Sequence, residues 1–120
     1  MKNIDAKVLQ ELALADRYFR GGFDSNAEAL LLQLVARDAA IAPAWELLAY
    51  IAGNRGQDEA CEEALLKATG LPGCSPEAYF YLGRIQLQRG KAREALSSLR
   101  QAMDRGGEFF EGLHESGVAH

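Results

Sequence analysis

Proline and the β-branched residues are scarce in this sequence of 120 residues. There are only three prolines, at positions 43, 72 and 76, and a single threonine, while alanine, leucine, glutamate, glutamine and arginine dominate. These common residues lose little conformational freedom on entering a helix, whereas strands favour β-branched and aromatic side chains. The composition therefore argues against a β-rich fold and predicts an all-α protein. At this length we expect one domain with its own core.

The sequence also lacks a surplus of basic residues and a long apolar run. Lysine plus arginine number 13 and aspartate plus glutamate 17, so the net charge is −4. Because nucleic-acid binding depends on neutralising phosphates, we expect no nucleic-acid partner. The apolar runs fall short of the roughly 20 residues that cross a bilayer, so we expect no membrane insertion. The charged first residues, with Lys2, Asp5 and Lys7, do not resemble a secretory signal, and we expect a cytoplasmic protein.

Cysteine and histidine are too few to suggest a metal site or a catalytic centre. Cys61 and Cys74 stand thirteen residues apart, far from either histidine, and we predict reduced thiols, one in the core and one near a loop. The histidines, His114 and His120, lie near the C-terminus with no cysteine or carboxylate cluster at ligand spacing, and the pair His114–Glu115 is better explained as a solvated part of a short helix than as part of a metal site. No Ser–His–Asp set can be assembled. We therefore expect no cofactor, no metal and no enzyme activity.

What the sequence does contain is an internal repeat of 34 residues. Five pairs of similar residues stand 34 positions apart: Trp45 and Tyr79, Leu48 and Leu82, Gly56 and Gly90, Leu65 and Leu99, and Ala68 and Ala102. A further step of 34 residues towards the N-terminus reaches Leu14 and Gly22. Three repeats therefore follow one another without insertion, at residues 8–41, 42–75 and 76–109.

Within each repeat, the apolar and small residues recur at helical spacing. In the third repeat Tyr79, Leu82 and Gly83 form one stripe, and Ala95 and Ala102 belong to a second. The glycine between the two stripes can adopt the left-handed conformation that ends a helix and reverses the chain. Small residues such as Gly83 are expected where two helices cross closely and a large side chain needs room. Each repeat is therefore predicted to be an antiparallel helix pair.

Helix starts can be predicted at two serines. Ser75 stands before Pro76, which suits the first position of a helix, so Ser75 is expected to cap that helix. Ser25 is followed by Glu28 three residues later, which is the pattern of a capping box.

These residues resemble the tetratricopeptide repeat family, whose pattern is W-x2-L-G-x2-Y, then A-x3-F, then a late alanine and a proline. The third repeat matches it with Tyr79-x2-Leu82-Gly83, Ala95-x3-Leu99 and Ala102. The first repeat departs from it at Glu11, in the aromatic position, and at Leu34, in the late small position. The resemblance covers about 102 of the 120 residues. It implies a right-handed superhelical solenoid of antiparallel helix pairs, with about seven helices in a single domain over residues 1–120.

Residues 110–120 continue the 34-residue frame, since Gly117 falls 34 positions after Gly83. One interpretation is a short helix that caps the last pair. The other, which we favour, is the first helix of a fourth repeat in a fragment of a longer array.

In the tetratricopeptide family, the first helix of each pair lines a concave groove that binds partner peptides or helices. The resemblance places in that groove Leu12, Asp16, Phe19 and Arg20 from the first repeat, Glu46, Leu47, Tyr50 and Asn54 from the second, Phe80, Tyr81, Arg84 and Gln88 from the third, and Glu111, His114 and Glu115 from the last helix. We expect these residues to lie off the packing stripe, so that their aromatic side chains can anchor a partner. The alternative is that the aromatics pack on neighbouring helices or between copies of the chain.

The leading hypothesis is a protein-interaction module that binds a peptide or helix of a partner. The alternative is a targeting or regulatory segment of a larger enzyme, such as a glycosyl- or sulfotransferase, of which this chain is a fragment. RNA binding by the related 35-residue helical repeats is disfavoured by the 34-residue spacing and the acidic charge. Since the open ends of a solenoid expose apolar surface, a homo-oligomer is a further expectation.

Overall fold

The structure is a computed structural model that describes residues 6–105 of the chain. The regular elements in that range are six α-helices: α1 Ala6–Arg20, α2 Asp24–Arg37, α3 Ala42–Asn54, α4 Asp58–Thr69, α5 Pro76–Gln88 and α6 Ala92–Arg105. The all-α prediction is confirmed, and each predicted repeat contributes two helices. The predicted seventh helix, at residues 110–120, lies outside the described residues.

The helices pack in consecutive pairs, α1 with α2, α3 with α4 and α5 with α6. The connection inside each pair is so short that the two helices must run antiparallel. In addition, α3 packs against both α2 and α1. The chain divides into two compact units, one with α1 to α4 and one with α5 and α6, and the boundary falls between Cys74 and Ser75. The expectation of a single domain over residues 1–120 stays a prediction.

The turn inside each pair is the same Schellman motif, repeated three times. Gly22, Gly56 and Gly90 have φ angles of 86°, 73° and 79°, a region that residues with a β-carbon adopt at a cost. In the first turn, the amide of Phe23 donates to the carbonyl of Tyr18 across 2.8 Å. The residues that follow the other two glycines make the equivalent bond, at 2.9 and 2.7 Å. These bonds satisfy carbonyls at the helix end, which explains why glycine recurs every 34 residues.

The predicted cap at Ser75 is confirmed. Its hydroxyl oxygen accepts a hydrogen bond from the amide of Ala78 across 3.3 Å. Pro76 takes the first helical position, and Glu77 adds negative charge at the positive end of the helix dipole.

The predicted capping box at Ser25 is wrong. Because the Schellman turn ends at Phe23, α2 begins at Asp24, and Ser25 lies inside the first turn of the helix rather than before it. Ser25 and Glu28 instead face Arg55, at the end of α3. One guanidinium nitrogen is 2.9 Å from a Glu28 carboxylate oxygen, and another donates to the Ser25 hydroxyl across 3.4 Å. The two residues therefore join α2 to α3.

The close helix crossing predicted at Gly83 is confirmed. A β-carbon built on Gly83 would lie 2.8 Å from two side-chain carbons of Leu99 and 3.3 Å from the carbonyl oxygen of Ala95. Glycine is therefore required for α5 and α6 to approach each other this closely.

The cysteines are also placed as predicted, with Cys61 in the core and Cys74 half-buried near the loop before α5.

One contact between the two helices of a pair recurs in all three repeats, although its chemistry changes. A residue in the aromatic position of the first helix meets a cation near the end of the second. The pairs are Glu11 with Arg37, which form an ion pair; Trp45 with Lys67, whose ammonium is 4.8 Å from the ring centroid; and Tyr79 with Arg105, whose guanidinium carbon is 4.8 Å from the ring centroid. Glu11 departs from the aromatic pattern and yet keeps this contact.

Candidate functional site

The α1–α3 cleft is an open depression of about 330 Å³ between the first helices of the first two repeats. Its lining residues are Leu12, Ala13 and Asp16 from α1 and Pro43, Glu46, Leu47 and Tyr50 from α3. Most of these positions recur three or four residues apart, so each helix presents one stripe to the cleft. The volume lies at the lower end of the roughly 300–1,000 Å³ that is typical of ligand pockets.

The walls of the cleft are mainly apolar and are continuous with the core. Leu12 and Leu47 line the cleft and also pack against the buried cluster of the first compact unit, as does Phe19. The expectation that the predicted groove residues lie off the packing stripe is therefore wrong for these three. The reason is that α1 packs against both α2 and α3, and α3 packs against α1, α2 and α4, so the buried face of each helix is wider than one stripe.

Aromatic packing holds one wall of the cleft in place. The rings of Phe19 and Tyr50 have centroids 6.4 Å apart and planes inclined at 32°, a tilted arrangement within the range of favourable aromatic pairs. Phe19 is thus a neighbour that supports Tyr50, and Tyr50 is the aromatic residue that lines the cleft.

The charged residues that line the cleft are both acidic. Asp16 lies at the rim, where its side chain is 37% exposed and its carboxylate accepts a hydrogen bond from Arg20 Nε across 2.7 Å. Arg20 itself points into solvent, with 75% of its side chain exposed. Glu46 is more buried and only 9% exposed. The cleft therefore combines apolar walls with one buried and one partly exposed carboxylate.

No protein-family model and no curated protein matches the chain. Solved structures do match it. Two crystal structures of MamA align at a TM-score of 0.75 and 23% identity, covering 91% and 94% of this chain. The Yersinia enterocolitica type III secretion chaperone SycD, in complex with a peptide of the translocator YopD, aligns at a TM-score of 0.73 and 21% identity. Both MamA and SycD are built from tetratricopeptide-like repeats. The chain has the tetratricopeptide-repeat fold.

The lengths of these tetratricopeptide structures differ from that of this chain. The chain spans 64% and 66% of the two MamA chains, less than two thirds of their length. It covers 79% of SycD, and SycD covers 86% of it.

Five of the predicted groove residues of the tetratricopeptide fold come together in the α1–α3 cleft: Leu12, Asp16, Glu46, Leu47 and Tyr50. Arg20 adjoins the cleft through Asp16, and Asn54 is exposed at the end of α3. On α5, Phe80 and Tyr81 are half-buried and Gln88 is exposed. Arg84 is exposed, with its guanidinium carbon 5.9 Å from the Tyr81 ring centroid. The predicted residues Glu111, His114 and Glu115 lie outside the described range.

Two lining residues, Ala13 and Pro43, were missed by the sequence reasoning. Pro43 stands three positions before Glu46 and seven before Tyr50, so helical spacing alone would have placed it on the same stripe. Ala13 carries no such signal, because a small residue next to Leu12 suggests nothing about what faces it.

Within residues 6–105, no group of three or more histidine, cysteine, aspartate and glutamate side chains is placed to hold a metal ion. The same part of the chain contains no helix with the length and apolar character needed to cross a membrane.

Proposed function

We propose that this chain is a protein-interaction module that binds a peptide or helix of a partner protein in the α1–α3 cleft. The observation that carries the proposal is the cleft itself. It lies between the first helices of two neighbouring repeats, and five residues chosen from the 34-residue frame line it.

The shape of the cleft favours a protein segment over a small molecule. A drug-sized ligand typically has about 70–90% of its surface buried in its pocket, whereas this cleft is largely open to solvent. A partner segment can lie along such a cleft and place one or two side chains in it. Protein interfaces also combine an apolar centre that contains aromatic residues with a polar rim, and Tyr50 beside Leu47, with Asp16 at the edge, has this arrangement.

The comparison with SycD supports the same class of ligand. That structure contains a peptide of YopD, and its fold matches most of this chain. The likeness concerns the fold, so the identity of a partner for this chain has to be found by experiment.

The test uses a variant that blocks the cleft without disturbing the core. Ala13 is an exposed cleft residue, and arginine is nearly as good a helix former as alanine, so Ala13→Arg should fold normally and fill the cleft. Ala60→Arg is the matched control, because Ala60 is an exposed alanine on α4. The wild type and both variants are used to capture proteins from a lysate of the source organism, and candidates are then titrated as purified proteins.

We expect a partner that binds the wild type and Ala60→Arg equally and that binds Ala13→Arg at least about tenfold more weakly, which is the effect of losing about 1.4 kcal/mol. If every purified partner binds all three proteins alike, the cleft is not the binding site. The alternative hypothesis, a targeting or regulatory segment of a larger enzyme, is tested separately by reading the full gene.

A further inference from the structure

The outer face of α6 carries an exposed apolar stripe. Leu96 and Met103 are 54% and 59% exposed, and Leu99 lies half-buried between them. Spacings of three and four residues place these side chains on one side of the helix, and we call them the α6 stripe. Ala95 and Ala102 are buried on the neighbouring side. The helix is therefore apolar over part of the face that a surface helix usually keeps polar.

In the first repeat, the corresponding face of α2 is covered by α3. Two steps of the 34-residue frame relate Leu96 to Glu28 and, in the same way, relate Met103 to Val35. Glu28 pairs with Arg55, at the end of α3, across 2.9 Å. Val35 packs against the buried cluster to which α3 also contributes. By the same frame, the residues that would cover the α6 stripe are those that follow α6 in the chain.

The chain continues beyond α6 with a C-terminal segment, residues 106–120, whose sequence suits this position. The stretch that corresponds to α3 begins at residue 110. Phe109 corresponds to Ile41, which is 3% exposed just before α3. Phe110 corresponds to Ala42, which is 1% exposed. Large apolar side chains therefore stand at the positions where the covering element of the first repeat has buried ones.

The C-terminal segment is also long enough to reach the α6 stripe. Leu96 stands nine residues before Arg105, the last residue of α6, and this stretch of helix is about 14 Å long. The fifteen residues that follow can span about three times that distance when extended. Because the segment is attached to α6, its effective concentration there is on the order of millimolar, so a weak contact is enough to hold it.

The charges of the two parts are opposite in sign. Residues 76–105 contain six basic and three acidic residues, so they carry a charge of +3 although the whole chain carries −4. The C-terminal segment contains three glutamates and no lysine or arginine, which gives −3. Arg93 and Arg100 are exposed on α6, seven residues apart and beside the stripe. Electrostatic attraction therefore favours the approach of this acidic segment to α6.

We propose that the C-terminal segment folds back on α6 and covers the α6 stripe, with Phe109 and Phe110 as its apolar anchors. The surface lies outside the α1–α3 cleft, and the proposal does not depend on the proposed function. It assigns the stripe to the chain's own residues rather than to a second copy or another protein. Loss of the anchors would expose an apolar surface and promote self-association.

The test follows the methyl group of Met103 by NMR in the full chain, labelled with carbon-13 at the methionine methyl groups. The sequence contains two methionines, so the Met103→Leu variant identifies the signal of Met103. A gadolinium chelate added to the solvent broadens the signals of exposed methyl groups. We expect the Met103 signal of the wild type to be protected from broadening. We also expect aromatic ring currents to displace it from the position of free methionine.

A double variant, Phe109→Ser with Phe110→Ser, should remove both effects. The Met103 signal should then broaden with the chelate and move towards the position of free methionine. Phe23→Ser is the matched control, because Phe23 is 60% exposed in the first compact unit, and it should leave the Met103 signal unchanged. The substituted residues lie outside the six helices, so circular dichroism should show the same helix content in all three proteins.

Three results would overturn the proposal. If the Met103 signal of the wild type broadens as strongly as that of the double variant, the α6 stripe is open and available to another protein. If protection appears only as the protein concentration is raised, a second copy of the chain covers the stripe. If the signal is protected but the double variant leaves it unchanged, the two phenylalanines are not the anchors.

Discussion

The buried polar pair between α5 and α6 allows a quantitative prediction. The Ser98 hydroxyl donates to the side-chain oxygen of Gln86 across 2.7 Å, and the two residues are only 7% and 4% exposed. In the 34-residue frame, Gln86 corresponds to Ala52, and Ser98 corresponds to Ala64. The third repeat thus uses a hydrogen bond where the second repeat packs alanines.

Removing one partner of this pair should cost more than removing both. Ser98→Ala leaves the buried oxygen of Gln86 without its donor, and a buried polar group that loses its partner costs about 1–3 kcal/mol. Gln86→Leu together with Ser98→Ala replaces both groups by apolar ones of similar shape, which can be nearly neutral. We therefore expect the double variant to be more stable than Ser98→Ala alone.

The assay is urea unfolding followed by circular dichroism, with the free energy of unfolding obtained for the wild type, both single variants and the double variant. Residues in direct contact typically show interaction energies of about 0.5–3 kcal/mol in such a cycle. Ser97→Ala is the matched control, because Ser97 is exposed on the same helix, and it should change the free energy by less than about 0.5 kcal/mol. The reasoning would be refuted if the Ser98→Ala variant were as stable as the wild type. It would also be refuted if the double variant lost as much free energy of unfolding as the two single variants together.

Three further changes give predictions for the same urea assay. Gly83→Ala should destabilise the protein by about 1–3 kcal/mol because the new methyl group overlaps Leu99. The control, Gly70→Ala, has only ordinary contacts around the new methyl group and should change stability far less. Equal losses of stability in the two variants would contradict the close helix crossing at Gly83. Gly56→Ala should cost about 1 kcal/mol, since its φ of 73° strains a residue with a β-carbon; an unchanged free energy would mean that the turn adopts another conformation. Lys67→Met keeps the apolar stem and removes the charge over an indole ring, so it should cost about 0.5–1 kcal/mol; no loss would show that the cation contributes nothing there.

The helix pairs and their turns could be predicted from the sequence because each depends on a local requirement. A Schellman turn needs a left-handed residue, so glycine recurs with the repeat and its position shows where the first helix ends. The same local argument failed at Ser25, where the turn from α1 ends one residue before Asp24 and leaves no place for a serine cap. Whether each of these serines, Ser75 or Ser25, caps its helix therefore depends on the turn that precedes it rather than on the residues that follow.

The cleft could be predicted only in part. Helical spacing places Glu46 and Tyr50 on one side of α3, and both line the cleft. Spacing does not show how wide the buried face of a helix is, so Leu12 and Phe19 were expected to be independent of the core although α1 packs on two helices at once. The width of a buried face depends on which helices lie on either side, and that is a property of tertiary structure.

The recurrent contact between the aromatic position and a cation has a consequence for how such repeats diverge. Arg37 and Arg105 occupy corresponding places two repeats apart, and each keeps its partner although that partner is a glutamate in one case and a tyrosine in the other. An ion pair weakens as salt increases, whereas packing against a ring depends less on ionic strength. Two repeats of one architecture can thus acquire different salt sensitivities through a single substitution, and the contribution of the Glu11–Arg37 contact to stability should fall with added salt more than that of the Tyr79–Arg105 contact.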